Sequence, residues 1–141
     1  PGAGNVVKLA GNFLIAASIE SLGEALALAE ANGVDRGDVT DMLTGTIFDC
    51  LIYKGYGERV SKRVHLPDAR FGLELGLKDV KLVRDTAAES GVPMPLASLL
   101  QDRLTAARSK GRGHLDWSAL ALGISEDAGY EVTGDDLVRA E

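Results

Sequence analysis

The sequence is short of the residues that build disulfide scaffolds and aromatic cores. Only 5% of its side chains are aromatic, and Cys50 is its single cysteine. One cysteine excludes an internal disulfide, and the expectation is a buried structural thiol in a reducing cytoplasm. No segment alternates apolar and polar residues as a half-buried strand does. A surplus of positive charge is also missing. The net charge of -6 leaves no basic face for a phosphate backbone, so no nucleic-acid partner is expected. His65 and His114 lie far apart without metal-ligand neighbours at useful spacing, so no metal site is expected. A membrane partner is not expected either. The most apolar stretch, 6–31, is interrupted by Lys8 and Asn12 at one end and by Glu20, Glu24 and Glu30 at the other, short of an unbroken run of about 20 apolar residues.

What is present is helical. With 45% hydrophobic and 26% charged residues in 141, the chain has the make-up of one folded domain. The stretch 6–31 predicts one long helix, apolar nearly all round and therefore central, stopped by Asn32-Gly33. Asp35 caps a second helix over 38–43, and a third is expected over 47–53. The glycines and charges of 55–68 predict a surface loop. A long helix over 73–90 ends at Gly91. Pro93 and Pro95 open the next, 96–110, where Leu96, Leu99, Leu100 and Leu104 recur at helical spacing. Asp116 caps a short helix over 117–123. The fold class is all-α, a multi-helix domain over 1–124 built around one long buried helix, followed by an acidic tail, 125–141, expected to be partly disordered.

The long helix carries an anomaly. Up to Ile19 its only charged side chain is Lys8, and Asn5, Lys8 and Asn12 fall on one face at about 3.6 residues per turn. An ammonium in such a helix, near the positive end of the macrodipole, is a candidate general acid/base. The plain alternative is a lysine whose stem packs on the core while its tip reaches water. A second group, Phe71 with Lys78 and Asp79, lies at and within the 73–90 helix, where Lys78 could simply pair with Glu74 one turn earlier. Gly2-Ala3-Gly4 follows no strand and has Val7 where a third glycine would fall, so it is not read as a dinucleotide fingerprint.

These residues, in order, resemble the C-terminal domain of the β-hydroxyacid dehydrogenases: 3-hydroxyisobutyrate dehydrogenase and tartronate semialdehyde reductase, related to 6-phosphogluconate dehydrogenase. Gly2-Ala3-Gly4-Asn5-Val6-Val7-Lys8 through Asn12 is similar to that family's Gly-x-Gly-(Asn/Gln)-x-x-Lys-x-x-x-Asn signature. Glu24-Ala25, Phe71 followed by Lys78-Asp79, Gly91-Val92-Pro93 and Gly113-His114-Leu115-Asp116-Trp117-Ser118 resemble its later segments. Gly11, where many members have Asn, is a departure that leaves substrate identity open.

The resemblance implies an oxidoreductase moving hydride between NAD or NADP and a small 3-hydroxy acid or semialdehyde. In it Lys8 is the catalytic acid/base, Asn12, Phe71 and Asp79 bind substrate, and Lys78 contacts the cofactor. It further implies a cytoplasmic homo-oligomer, a dimer above all, and an N-terminal dinucleotide-binding domain absent from this chain, without which the chain is expected to be inactive. Two other readings stand beside it. One is an imine-reductase-like domain, which Lys8 argues against; the other is a non-catalytic helical dimerisation module.

Overall fold

The computed structural model describes residues 2–66 and 70–138, with the backbone only at Val138. Seven α-helices and a 3₁₀ turn follow one another: α1 Ala3–Ala31, α2 Arg36–Thr44, α3 Leu51–Lys62, α4 Leu73–Ser90, α5 Pro95–Ser109, the 3₁₀ turn Trp117–Ala119, α6 Leu120–Asp127 and α7 Gly134–Val138. The described residues form no strand, and the fold is all-α.

Helix ends follow local chemistry. Gly33, with φ +76°, lets the chain turn back after α1. The Asp35 carboxylate accepts the Asp38 N–H at 3.0 Å and starts α2. Gly91, at φ +69°, closes α4, and Pro95 opens α5. Arg63 ends α3 at φ 52°, an uncommon conformation for a residue with a Cβ. Its guanidinium meets Glu30 at 2.6 Å and lies 3.6 Å over the Tyr130 ring, so tertiary contacts hold it there.

α1 is the axis, and the others pack round it. Ala16, Ile19, Leu22 and Leu26 form one core with Leu73 and Leu77 of α4, Leu100 and Leu104 of α5, Trp117 and Leu120. Gly23 is what brings α6 close. A Cβ there would stand 2.5 Å from Ile124 Cδ1 and 3.2 Å from Ala121 Cβ. A smaller cluster, Leu9 with Val83 and Ala97, ties the N-terminal half of α1 to α4 and α5.

Several expectations need correcting. α1 is not buried all round: Val7 is 72% and Leu14 62% exposed, because no neighbouring helix reaches that face. By length and composition α1 is also apolar enough to cross a membrane, so its charges do not exclude that; what seats it here is its packing on the core. The segment 55–62, expected as a loop, continues α3. Gly57 lies so close to α2 that a Cβ would stand 3.0 Å from Thr40 Cγ2, and that packing outweighs glycine's poor helix propensity. The third helix starts at Leu51 rather than 47, and Cys50, expected inside, is the exposed residue before it. α6 runs through to Asp127, across the expected limit of the helical part. Tyr130 and Val132 lie half-buried beyond it, before α7. Residues 139–141 of the expected tail lie outside the described residues.

Candidate active site

Three residues named from the sequence converge where the second and third turns of α1 meet α4. The Asn12 Nδ2 donates to Asp79 Oδ2 at 2.6 Å, and Lys8 Nζ stands 3.8 Å from the same oxygen. Helical spacing explains the meeting from both sides. Lys8 and Asn12 are one turn apart on α1, and Leu9 and Phe13, on its neighbouring stripe, pack against Val83, Ala97 and Met94. Lys78 and Asp79 are consecutive on α4 and so point about 100° apart. Asp79 turns inward and Lys78 outward.

The burial of the pair is lopsided. The Asp79 side chain is 4% exposed and that of Lys8 63%. Of the two settings considered for Lys8, the one with its tip in water holds, and the first turns of α1 stand proud of the fold. A buried carboxylate is expensive unless it accepts hydrogen bonds, and here the Asn12 amide supplies one while the ammonium offsets the charge. The result is an acid, an amide and an amine held on two rigid helices, with the amine and part of the amide open to a reactant.

Lys78 is exposed and has no ion-pair partner among the described residues, so the Glu74 pairing considered above does not form. A free ammonium one position from Asp79 suits an anionic group arriving at this face, such as a cofactor phosphate. It is only one contact.

Phe71 sits apart from the other three. It precedes α4, whose first residue, Leu73, already lies six positions and roughly 9 Å along the helix axis from Asp79. Its ring packs on Trp117, with centroids 4.6 Å apart and planes tilted by 56°. The Trp117 indole N–H donates to Tyr56 Oη at 2.8 Å, and burial pushes the Tyr56 hydroxyl pKa up. Beside this stack His65 is buried, its Nδ1 2.8 Å from Ser118 Oγ and its Nε2 without a hydrogen-bond partner among the described residues. Burial pushes the imidazole down to about 4, which outweighs the attraction of Asp116. His114 stands on the surface against Gly111 O, and no group of three metal-ligating side chains gathers among the described residues.

The sequence predicts Asp116 as a helix cap. The carboxylate does accept the Ser118 N–H at 2.9 Å, but it also accepts the Phe71 N–H at 3.3 Å. No local spacing signals that second bond, which joins residues 45 apart. An acidic cap placed just before the only tryptophan was the available hint.

Comparisons with known proteins identify the family. The family model described as NAD-binding of NADP-dependent 3-hydroxyisobutyrate dehydrogenase matches residues 2–123. An uncharacterized oxidoreductase of Bacillus subtilis is 31% identical over 82% of this chain and 40% of its own length. The 2-hydroxy-3-oxopropionate reductase of Escherichia coli is 29% identical over 93% of this chain and 44% of its own. The crystal structure of a 3-hydroxyisobutyrate dehydrogenase from Salmonella typhimurium superposes with a TM-score of 0.77 at 31% identity, covering 86% of this chain and 42% of that one. The chain thus spans less than half the length of these relatives. With a match across residues 2–123 and the same fold, it belongs to the 3-hydroxyisobutyrate dehydrogenase family.

Proposed function

We propose that the chain is the substrate-facing helical part of a cytoplasmic NAD(P)-dependent oxidoreductase. It acts on a small 3-hydroxy acid or its semialdehyde, of the 3-hydroxyisobutyrate or tartronate semialdehyde kind. The observation that carries the reading is the convergence of Lys8 and Asn12 on buried Asp79. The family's names supply the reaction class.

Lys8 exchanges a proton with the substrate oxygen. In oxidation it takes the hydroxyl proton as the C–H bond gives up its hydride; in reduction it returns a proton to the carbonyl oxygen. The nicotinamide, when bound, accepts or supplies that hydride. Asn12 hydrogen-bonds the substrate with the group not committed to Asp79, and Asp79 keeps the amide turned that way. Phe71 forms an apolar wall of the cleft. Lys78 contacts the cofactor, most of which is held by a βαβ domain of the kind that cradles dinucleotides.

The exposed Val7 and Leu14, which share one side of α1 next to the Lys8 stripe, support a covering domain there. Such cover would exclude water and strengthen each electrostatic contact of the site. A homodimer is also part of the proposal. Light scattering at micromolar concentration should find two chains per particle, and a clean monomer removes that part alone.

The test is turnover. The complete enzyme, given NADH or NADPH with a panel of small semialdehydes, should reduce at least one of them, and Lys8→Ala should lower that turnover by about 10²–10⁴-fold. Near-normal turnover in Lys8→Ala refutes the mechanism; a panel without any turnover refutes the substrate class.

A further inference from the structure

We propose that Asp116 and Trp117 are positioning residues for Phe71, acting through its ring on substrate binding. The inference rests on the reading of Phe71 as a wall of the cleft.

Phe71 precedes α4 and belongs to no helix, so its place is set by tertiary contacts. The segment 115–118 provides them. The Asp116 carboxylate accepts the Phe71 N–H, the Trp117 N–H donates to Phe71 O at 2.9 Å, and the Leu73 N–H donates to Leu115 O at 2.9 Å. On the other side the Asp116 N–H donates to His65 O at 3.1 Å, and Ser118 meets the His65 ring. Both ends of the connector between α3 and α4 are thus stapled to the same four residues.

Trp117 is a rigid floor under the Phe71 ring. Its N–H is committed to Tyr56, and one face lies on the α4 backbone at Gly76. A Cβ at 76 would stand 2.7 Å from Trp117 Cε3, so only glycine leaves the indole its seat.

Asp116 is fully buried and has no ion pair among the described residues. Capping the 3₁₀ turn needs one oxygen, which serine, threonine or asparagine supplies without burying a charge. A carboxylate brings two acceptor oxygens. The second one serves Phe71.

The test is a double-mutant cycle in the complete enzyme, with Asp116→Asn and Trp117→Phe each made alone and together with Phe71→Ala. Each single variant should raise KM about tenfold, the scale of one lost hydrogen bond or ring contact, with kcat changed less. In the Phe71→Ala background neither should raise KM further, although each should still lower the melting temperature. Multiplying KM effects, or lowered melting with KM unchanged, would overturn the inference and make the two residues mere scaffold. If Phe71→Ala alone leaves KM untouched, the cleft reading of Phe71 fails, and the inference fails with it. If Asp116→Asn does not fold, as judged by helical circular dichroism, Trp117→Phe decides the matter, since it keeps the main-chain bonds and an aromatic ring.

Discussion

The two halves of α1 are built from the same kinds of residue and do different things. From Ala16 to Ala27, the side chains of Ala16, Ile19, Leu22, Leu26 and Ala27 are buried and form the centre of the core. From Ala3 to Leu14 only Leu9 is buried, while Val6, Val7 and Leu14 face outward beside Lys8. One half holds the fold together, and the other carries the proposed acid/base to the surface on a stiff rod. A helix that runs unbroken from one to the other fixes the Lys8 amine against the core without any loop between them. Precision at the site is inherited from packing several turns away.

The sharpest way to break that contrast is Lys8→Ala in the complete enzyme. A positioned acid/base contributes about 10²–10⁴-fold, so kcat should fall by that order in a stopped assay. Thermal melting should hardly move, because the side chain is mostly exposed. Lys8→Arg should not restore turnover, since a guanidinium does not release its proton near neutral pH. Normal turnover with a lowered melting point would make this half structural after all.

Next comes the buried half. Leu26→Ala removes a fully enclosed side chain and should cost about 2–5 kcal/mol in urea unfolding of this chain. Val7→Ala, the matching truncation in the outer half, should stay within about 0.5 kcal/mol. Comparable losses at both positions would erase the distinction.

A pH series sharpens the comparison from another side. His65 in the buried core is held near 4, against an ordinary 6.5. The unfolded chain therefore binds the proton more tightly, so stability is fully present above pH 6.5 and drains away as pH falls toward 4. The loss should be on the order of 3 kcal/mol at most. Glu20 works in the opposite sense, its carboxyl raised by burial against the pull of Arg103, so the informative quantity is the difference between proteins. Urea melts of wild type and His65→Asn should show a shallower pH slope in the variant, and equal slopes would remove His65 from the account.

How much of this was legible beforehand follows the same division. Helix ends with a local chemical cause, such as Asp35, Gly33, Gly91 and Pro95, were readable because one or two residues decide them. α3 was not, because Gly55 and Gly57 look like breakers until α2 is packed against Gly57. The trio Lys8, Asn12 and Asp79 could be named from spacing and family resemblance, and helical geometry brings it together. Which of the two settings of Lys8 would hold, enclosed or with its tip in water, was not legible. An apolar helix reads as buried whether its cover comes from the same domain or from elsewhere, and hydrophobicity alone does not say which. Cys50 was misplaced for a related reason: its exposure is decided by where α3 begins, not by its own chemistry.

The smallest effect expected is a near-absence. Lys78 is one free cation, and a dinucleotide must first offset several kcal/mol of lost translational and rotational freedom. Titrating NADH or NADPH into this chain alone in a calorimeter should give no saturable heat at micromolar concentration. Micromolar binding would mean that the outer half of α1 needs no partner domain.

Trp117 also makes the molecule its own spectrometer. It is the chain's only tryptophan, sealed from water, bonded through its ring nitrogen to Tyr56 and capped by the Phe71 ring. All indole emission therefore comes from one site, with a tyrosine near enough to feed it excitation energy. Its spectrum should be blue-shifted in the folded chain and should redden when the joint between α3 and α4 loosens. Any small acid that settles on Phe71 would be seen as a change of light, with no cofactor turned over and no label attached.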